Sequence, residues 1–306
     1  MLMKEAIAQY GEWKSLGRAK NATSKRYVDL LRVFALYMHN PDIEQIKLGD
    51  ILTYQREMEY LGWENNSLIQ RACALRDFFY LFHKQGFHVL DHELIPMPRK
   101  EFKRPPRVAS DANYEKMLAV IPEDSLDPRH IRNQAMIRMM ADCGGRVSEI
   151  YELEMDELDI NRMKSITNTK KSRGTRPFRE LMWSKETNRY LLKWLACRET
   201  LYNRSPFPDA EAVFVSISGV KYGCHMNDSG VTAILRSYCL KAKVPYINPH
   251  SLRHRFCRQI AERGSTSDVM NLAGHATLAS STIYTTLYGN ELEKLYTRLF
   301  PERRGA

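Results

Sequence analysis

A chain of 306 residues has room for two domains of ordinary size, each burying its own core. At 43% hydrophobic and 27% charged residues the composition is that of a globular protein, and no apolar run is long enough to cross a bilayer. The formal net charge of +10 favours an anionic partner, nucleic acid or an acidic membrane surface, with the excess spread along the chain.

The first hundred residues predict helices. The N-terminal MLMKEAIAQYGEWKSLG reads as an amphipathic helix without the continuous apolar stretch or cleavage site of a secretory signal, so a cytoplasmic protein is expected. Asn21-Ala22-Thr23-Ser24 supplies capping side chains for a helix whose apolar face is Tyr27, Leu30, Leu31, Phe34, Ala35 and Met38. Asp50 is expected to cap a further helix reaching Leu61. Asn66 or Ser67 is expected to open another, with Leu68, Ala72, Leu75, Phe78, Phe79 and Phe82 as a core stripe that Gly86 closes.

Residues 96–107, PMPRKEFKRPPR, are rich in proline and cations and predict an extended connection. The expected organisation is a helical domain over 1–98, a basic linker over 99–110 and a second domain over 111–306. Such a strap either lies along a phosphate backbone through Lys103, Arg104 and Arg107 or is a solvated linker.

From Asp111 onward helices again predominate, interrupted by one expected β-hairpin: Ser165–Asn168 and Thr175–Arg179 flank the turn Lys170-Lys171-Ser172-Arg173-Gly174. The five acids between residues 151 and 160 read as a solvated face directed away from any polyanion. Six cysteines, at 73, 143, 197, 224, 239 and 257, show neither a CxxC pair nor metal-ligand spacing and are expected as reduced, mostly buried thiols.

The chemistry lies in five separated residues. In Asn248-Pro249-His250-Ser251-Leu252-Arg253, asparagine caps a helix and proline suits its first turn, so His250 and Arg253 share a face near an anion-favouring helix N-terminus. Gly264 is expected to end that helix, a short one follows from about Asp268, and Gly274 breaks it just before His275. A further helix from about Thr277 carries Tyr284, with Tyr288 as a nearby decoy, and Arg146 stands far upstream in Gly144-Gly145-Arg146-Val147-Ser148-Glu149. Singly, each has an ordinary explanation as core histidine, surface cation or rim tyrosine. Together, two guanidinium forks that match phosphate oxygens and a phenol point to cleavage of a phosphodiester.

These motifs resemble the tyrosine recombinase, or phage integrase, family. Gly145-Arg146-Val147-Ser148-Glu149-Ile150 is similar to its first arginine box, His250-Ser251-Leu252-Arg253-His254-Arg255-Phe256 to its HxLRHxF box, and Leu272-Ala273-Gly274-His275 through Ile283-Tyr284 to its closing segment. Residues 3–90 are similar to the DNA-clamping helical domain of the simpler members, so nearly the whole chain is covered. The resemblance implies a mostly α fold, with a helical-bundle clamp joined to a larger catalytic domain carrying a small β-hairpin.

It also implies that Tyr284 attacks the scissile phosphate to give a 3'-phosphotyrosyl link, Arg146 and Arg253 hold the non-bridging oxygens, and His275 assists them. His250 handles the tyrosine proton. A hairpin lysine protonates the leaving 5'-oxygen: Lys170, from the Thr169-Lys170 pattern, or the adjacent Lys171. This hairpin departs from the family's, whose turn is often shorter and carries one lysine beside a glycine. Glu149 is expected to brace the first arginine box, and Lys25, Arg26, Lys103, Arg104, Arg107, Lys171, Arg173 and Arg176 to touch DNA. No metal or cofactor is required.

The implied partners are duplex DNA with short core sites, within the nucleoid, and three further copies. Leu292, Leu295, Tyr296 and Leu299 form the apolar face of a tail helix over 290–300. In the resembled family such a tail packs into a neighbouring subunit and cyclises a tetramer; docking in cis and a hetero-tetramer stay open. The competing activities are DNA relaxation of the type IB topoisomerase kind and regulation by a DNA-binding protein that has lost catalysis.

Overall fold

The structure, a computed structural model, describes residues 1–16, 22–99, 108–168 and 178–274. The chain divides into two compact units, Met1–Lys103 and Arg104–Ala306, with the division inside the basic proline-rich segment.

The first unit comprises α1 (Met3–Leu16), α2 (Ala22–Tyr37), α3 (Leu48–Tyr60) and α4 (Asn65–Lys84). The aromatic stripe of α4 forms the centre of its core: Phe78, Phe79 and Phe82 are fully buried and pack with Tyr10, Leu31, Phe34 and Tyr54. The helix starts differ from expectation. Thr23 and Ser24 lie inside α2, which already begins at Ala22, while Asn21, the other capping side chain of that run, lies outside the described residues. Asp50 stands in the first turn of α3 and accepts the Lys47 backbone N–H at 2.8 Å, so it reaches back to the cap position and does not occupy it. The start of α4 falls at Asn65, one residue before the earlier of the two expected positions.

The second unit is also mainly helical: α5 (Asp111–Ala119), α6 (Pro128–Cys143), α7 (Val147–Tyr151), α8 (Lys185–Arg204), α9 (Asp228–Lys241), α10 (Pro249–Ala261) and α11 (Thr266–Ala273). Of these, α6 is buried nearly all round, with Ala135, Met136, Ile137, Met139, Met140 and Ala141 inaccessible, and it packs on α8 and α10. A helix enclosed on all sides carries apolar residues at consecutive positions in place of a stripe.

One antiparallel sheet interrupts the helices. Its strands are β1 (Leu158–Asp159), β2 (Lys164–Asn168) and β3 (Phe178–Met182), in that order across the sheet. The sequence predicted two strands; β1 is too short to show alternation, and the second strand runs on to Met182, beyond the expected Arg179. The register sets Lys164 opposite Met182 and Thr167 opposite Arg179. The acids of 151–160 are at least partly exposed, as expected. Of the cysteines, only Cys143, Cys239 and Cys257 are buried; Cys73 on α4, Cys197 on α8 and Cys224 in a loop are partly exposed.

The turn that ends α6 decides where the first arginine box points. Gly144 adopts φ 58°, and a β-carbon there would lie 2.1 Å from Cδ1 of Phe256 on α10. Only glycine allows both the left-handed turn and this close approach. Gly144→Ala is therefore expected to destabilise the protein by about 2–4 kcal/mol in urea denaturation, combining the conformational cost with overpacking. A loss below about 1 kcal/mol would contradict the packing described.

Candidate active site

Arg146 follows that turn as the cap residue of α7, and Glu149 in the helix's first turn receives it twice. The Glu149 carboxylate accepts the Arg146 backbone N–H on Oε2 at 2.7 Å and the Arg146 Nη1 on Oε1 at 2.6 Å. The carboxylate is 5% exposed while the Arg146 side chain is 24% exposed, so the acid braces the arginine from beneath and leaves the guanidinium reachable.

The start of α10 is built as its sequence predicts. Asn248 caps the helix, accepting the Ser251 backbone N–H at 2.8 Å, and Pro249 occupies the first turn. His250 is exposed in that turn, and Arg253 is buried one turn further on. The Arg253 fork donates Nη1 to the Gly144 carbonyl at 2.6 Å and Nη2 to the Ala273 carbonyl at 2.5 Å. One guanidinium thus ties the turn before Arg146 to the end of α11. Burial pushes the Arg253 guanidinium down to about 10, with the nearby Arg179 and Arg146 charges adding to the effect. It remains charged at neutral pH.

The start of α11 falls at Thr266 behind a Ser265 cap, two residues before the expected position. Asp268, taken from sequence as the beginning, is the first-turn acid that accepts the Ser265 N–H at 2.7 Å. Its end is as predicted, since Gly274 stops it with φ 62°.

Two residues of the site were missed in the sequence reading. The first is Arg179 on β3, where Arg179 and Leu181 point inward and Phe178, Glu180 and Met182 outward. Its Nη1 donates to Glu149 Oε2 at 3.0 Å and its Nη2 to the Leu272 carbonyl at 2.7 Å. The available signal was strand alternation from Leu181, masked by the basic run around it. The second is His254, one turn beyond His250 on α10, its ring stacked on that of His250 at 6.3 Å between centroids. Burial, with the His250 and Arg253 charges behind it, pushes the His254 imidazole down to about 4.

Lys25 and Arg26 are exposed on α2. Lys170, Lys171, Arg173, Arg176, His275 and Tyr284, together with Lys103, Arg104 and Arg107, lie outside the described residues, as does the tail over 290–300. The described part of the site therefore brings together Arg146, Glu149, Arg179 and Arg253 around the end of α11, with His250 and His254 on the helix that carries Arg253.

Residues 107–291 match the family model described as the phage integrase family, which is more than half of the chain. The chain belongs to the phage integrase family. Among curated relatives it is 25% identical over 296 residues to the tyrosine recombinase XerC of Chromohalobacter salexigens, covering 94% of this chain and 93% of that one. It is 28% identical over 248 residues to the XerC of Psychromonas ingrahamii, covering 79% and 77%. Among solved structures, the Tn1549 transposon integrase in complex with a circular intermediate DNA shares the fold, with a TM-score of 0.72 at 16% identity, covering 98% of this chain and 99% of that one. Membership of this family favours site-specific DNA recombination over DNA relaxation or a catalytically silent regulator.

The His254 environment has a stability consequence. Its folded pKa lies below the ordinary histidine value of 6.5, so the unfolded chain binds the extra proton first as pH falls. The contribution is whole above about pH 6.5 and is lost progressively toward pH 4, on the order of 1–2 kcal/mol once partial exposure is discounted. Chemical denaturation of wild type and His254→Gln at pH 7 and pH 5 should show a steeper acid loss in wild type. Equal losses would contradict the half-buried neutral imidazole.

Proposed function

We propose that this phage integrase family member is a site-specific recombinase that cuts and rejoins duplex DNA at short core sites through Tyr284. The observation that carries this reading is the gathering of Arg146 and Arg253 at the end of α11, from which the chain runs directly into His275 and Tyr284. Three guanidinium charges in the cluster against the single Glu149 carboxylate leave two uncompensated. A phosphodiester brings one negative charge and a five-coordinate phosphorane two, so the cluster suits the transition state better than the ground state.

In this mechanism the Tyr284 phenol, whose ordinary pKa of about 10 demands activation, gives up its proton toward His250 and attacks the phosphorus. The bond from phosphorus to the 5'-oxygen breaks, and that oxygen takes a proton from Lys170 or Lys171. Arg146 and Arg253 hold the non-bridging oxygens with the help of His275, and the α10 N-terminus adds its dipole. One phosphodiester is exchanged for a phosphotyrosine, so a 5'-hydroxyl from a second strand reverses the attack without an energy source.

Duplex DNA is the partner this chemistry demands. Lys25 and Arg26 on α2, Lys103, Arg104 and Arg107 in the basic linker, and Lys171, Arg173 and Arg176 between β2 and β3 would supply phosphate contacts. Four copies assemble through exchange of the tail. Its apolar face needs a seat of matching chemistry, and a cleft of about 380 Å³ whose lining includes Phe256, Ile260 and Leu272 beside Asp142, Arg263 and Asp268 is compatible with that role.

The substrate that tests this is a nicked duplex bearing the sequence the wild-type chain selects from a random library. Wild type is expected to form a denaturation-resistant DNA adduct and Tyr284→Phe none; Arg146→Ala and Arg253→Ala should slow its formation by about 10²–10³-fold. An undiminished adduct with Tyr284→Phe would reject the assignment. Replacing both Leu292 and Leu295 by Asp should leave the adduct in place and abolish the four-subunit species in sedimentation. A persisting tetramer would reject tail exchange.

A further inference from the structure

The two arginine motifs assign Arg146 and Arg253 to the phosphate, whereas Arg179 on β3 belongs to neither; its side chain is 5% exposed and, unlike Arg253, whose fork meets backbone carbonyls, it is paired with a buried carboxylate. Its Nη1 is on Glu149, and its Nη2 is shared between the Leu272 carbonyl at 2.7 Å and the Cys143 carbonyl at 3.3 Å. The last carbonyls of a helix have no partner within it. At the end of α11 three successive ones, those of Leu272, Ala273 and Gly274, are each met by a different arginine: Arg179, Arg253 and, through a long 3.4 Å contact, Arg146. Three cations therefore meet the negative end of a helix dipole immediately before His275.

We infer that Arg179 is a positioning residue for the transesterification: it holds Glu149 under Arg146 and fixes the end of α11, without touching the phosphate. This rests on the recombinase reading above.

Two further observations support it. Gly274 and Arg179 are fitted to one another, since a β-carbon on Gly274 would lie 2.5 Å from Cδ of Arg179. In addition, burying this guanidinium is costly: desolvation lowers its pKa, with Glu149 the largest opposing influence, and its Nε has no hydrogen-bond partner among the described residues. An apolar side chain of similar length would serve the fold as well or better. What it would not supply is a rigid fork that reaches a carboxylate and a helix end at once.

The test compares full-length wild type, Arg179→Met, Arg179→Lys and Gly274→Ala on the selected nicked duplex, with the scissile phosphate either native or replaced by an uncharged methylphosphonate. Affinity is read by filter binding and catalysis by the rate of adduct formation at saturating protein. Arg179→Met and Arg179→Lys should bind within about threefold of wild type but form adduct about 100-fold more slowly, the penalty of a displaced reacting group. Gly274→Ala, which strains the same contact from the other side, should show the same split and so keeps the idea testable if one arginine variant fails to fold. The methylphosphonate should restore Arg146→Ala and Arg253→Ala, which lack charge against the phosphate, and should not restore the Arg179 variants. Its rescue of Arg179→Met would make Arg179 a phosphate ligand and overturn the proposal. So would adduct formation by both Arg179 variants within about threefold of wild type. A wild type that forms no adduct on native duplex would instead defeat the recombinase reading beneath it.

Discussion

The arginines of this site would repel one another were it not for one buried carboxylate. Glu149 lies between Arg146 and Arg179 and engages both guanidinium groups as well as the Arg146 backbone. Deleting one member of such a desolvated group leaves the others uncompensated, which costs far more than a surface ion pair. The stereochemistry of α7 follows from the same contact, because an acid in the first turn of a five-residue helix both closes its cap and anchors the preceding arginine. Everything placed by Arg146 and Arg179 depends on that carboxylate remaining charged and enclosed.

Around it the second unit gathers four short segments that are distant in sequence: the turn after α6, the inner face of β3, the first turns of α10 and the last turn of α11. Each is held by a backbone carbonyl or carboxylate and not by apolar packing alone. Arg253 closes the turn at Gly144 onto Ala273, and Arg179 closes β3 onto Leu272. Two residues beyond Arg253 on α10, Arg255 pairs with Asp111 at 2.6 Å and covers the Tyr114 ring, so the start of α5 is tied to the same helix. Polar groups so fully used fix a geometry more narrowly than hydrophobic contacts do. A mechanism that depends on stabilising charge as it develops requires that rigidity.

Much of this was readable from the sequence where local rules act alone. The stripe of α4, the Asn248-Pro249 start of α10 and the Gly274 stop each follow from the preferences of one or two residue types. The errors occurred where two local rules compete. Asp50 was taken as a cap and Asp268 as the beginning of a helix, because aspartate favours helix starts, yet each is the first-turn acid reaching back to the cap. Arg179 stood in a run of cations that reads as a phosphate-binding turn, and its burial is decided by Glu149 and the end of α11, 30 and 93 residues away in sequence. No single-segment pattern carries that information. The positions of Tyr284, His275 and the hairpin lysines came from resemblance of motifs, and the chemistry of the gathered arginines is what makes those roles coherent.

The most direct test is a crystal structure of the full chain trapped covalently on its selected nicked duplex. The account predicts phosphorus bonded to the Tyr284 Oη, Arg146 and Arg253 within hydrogen-bond reach of the non-bridging oxygens, and Arg179 still donating to Glu149 and the Leu272 carbonyl. A phosphate held by Arg179, or linked to any side chain other than Tyr284, would contradict it.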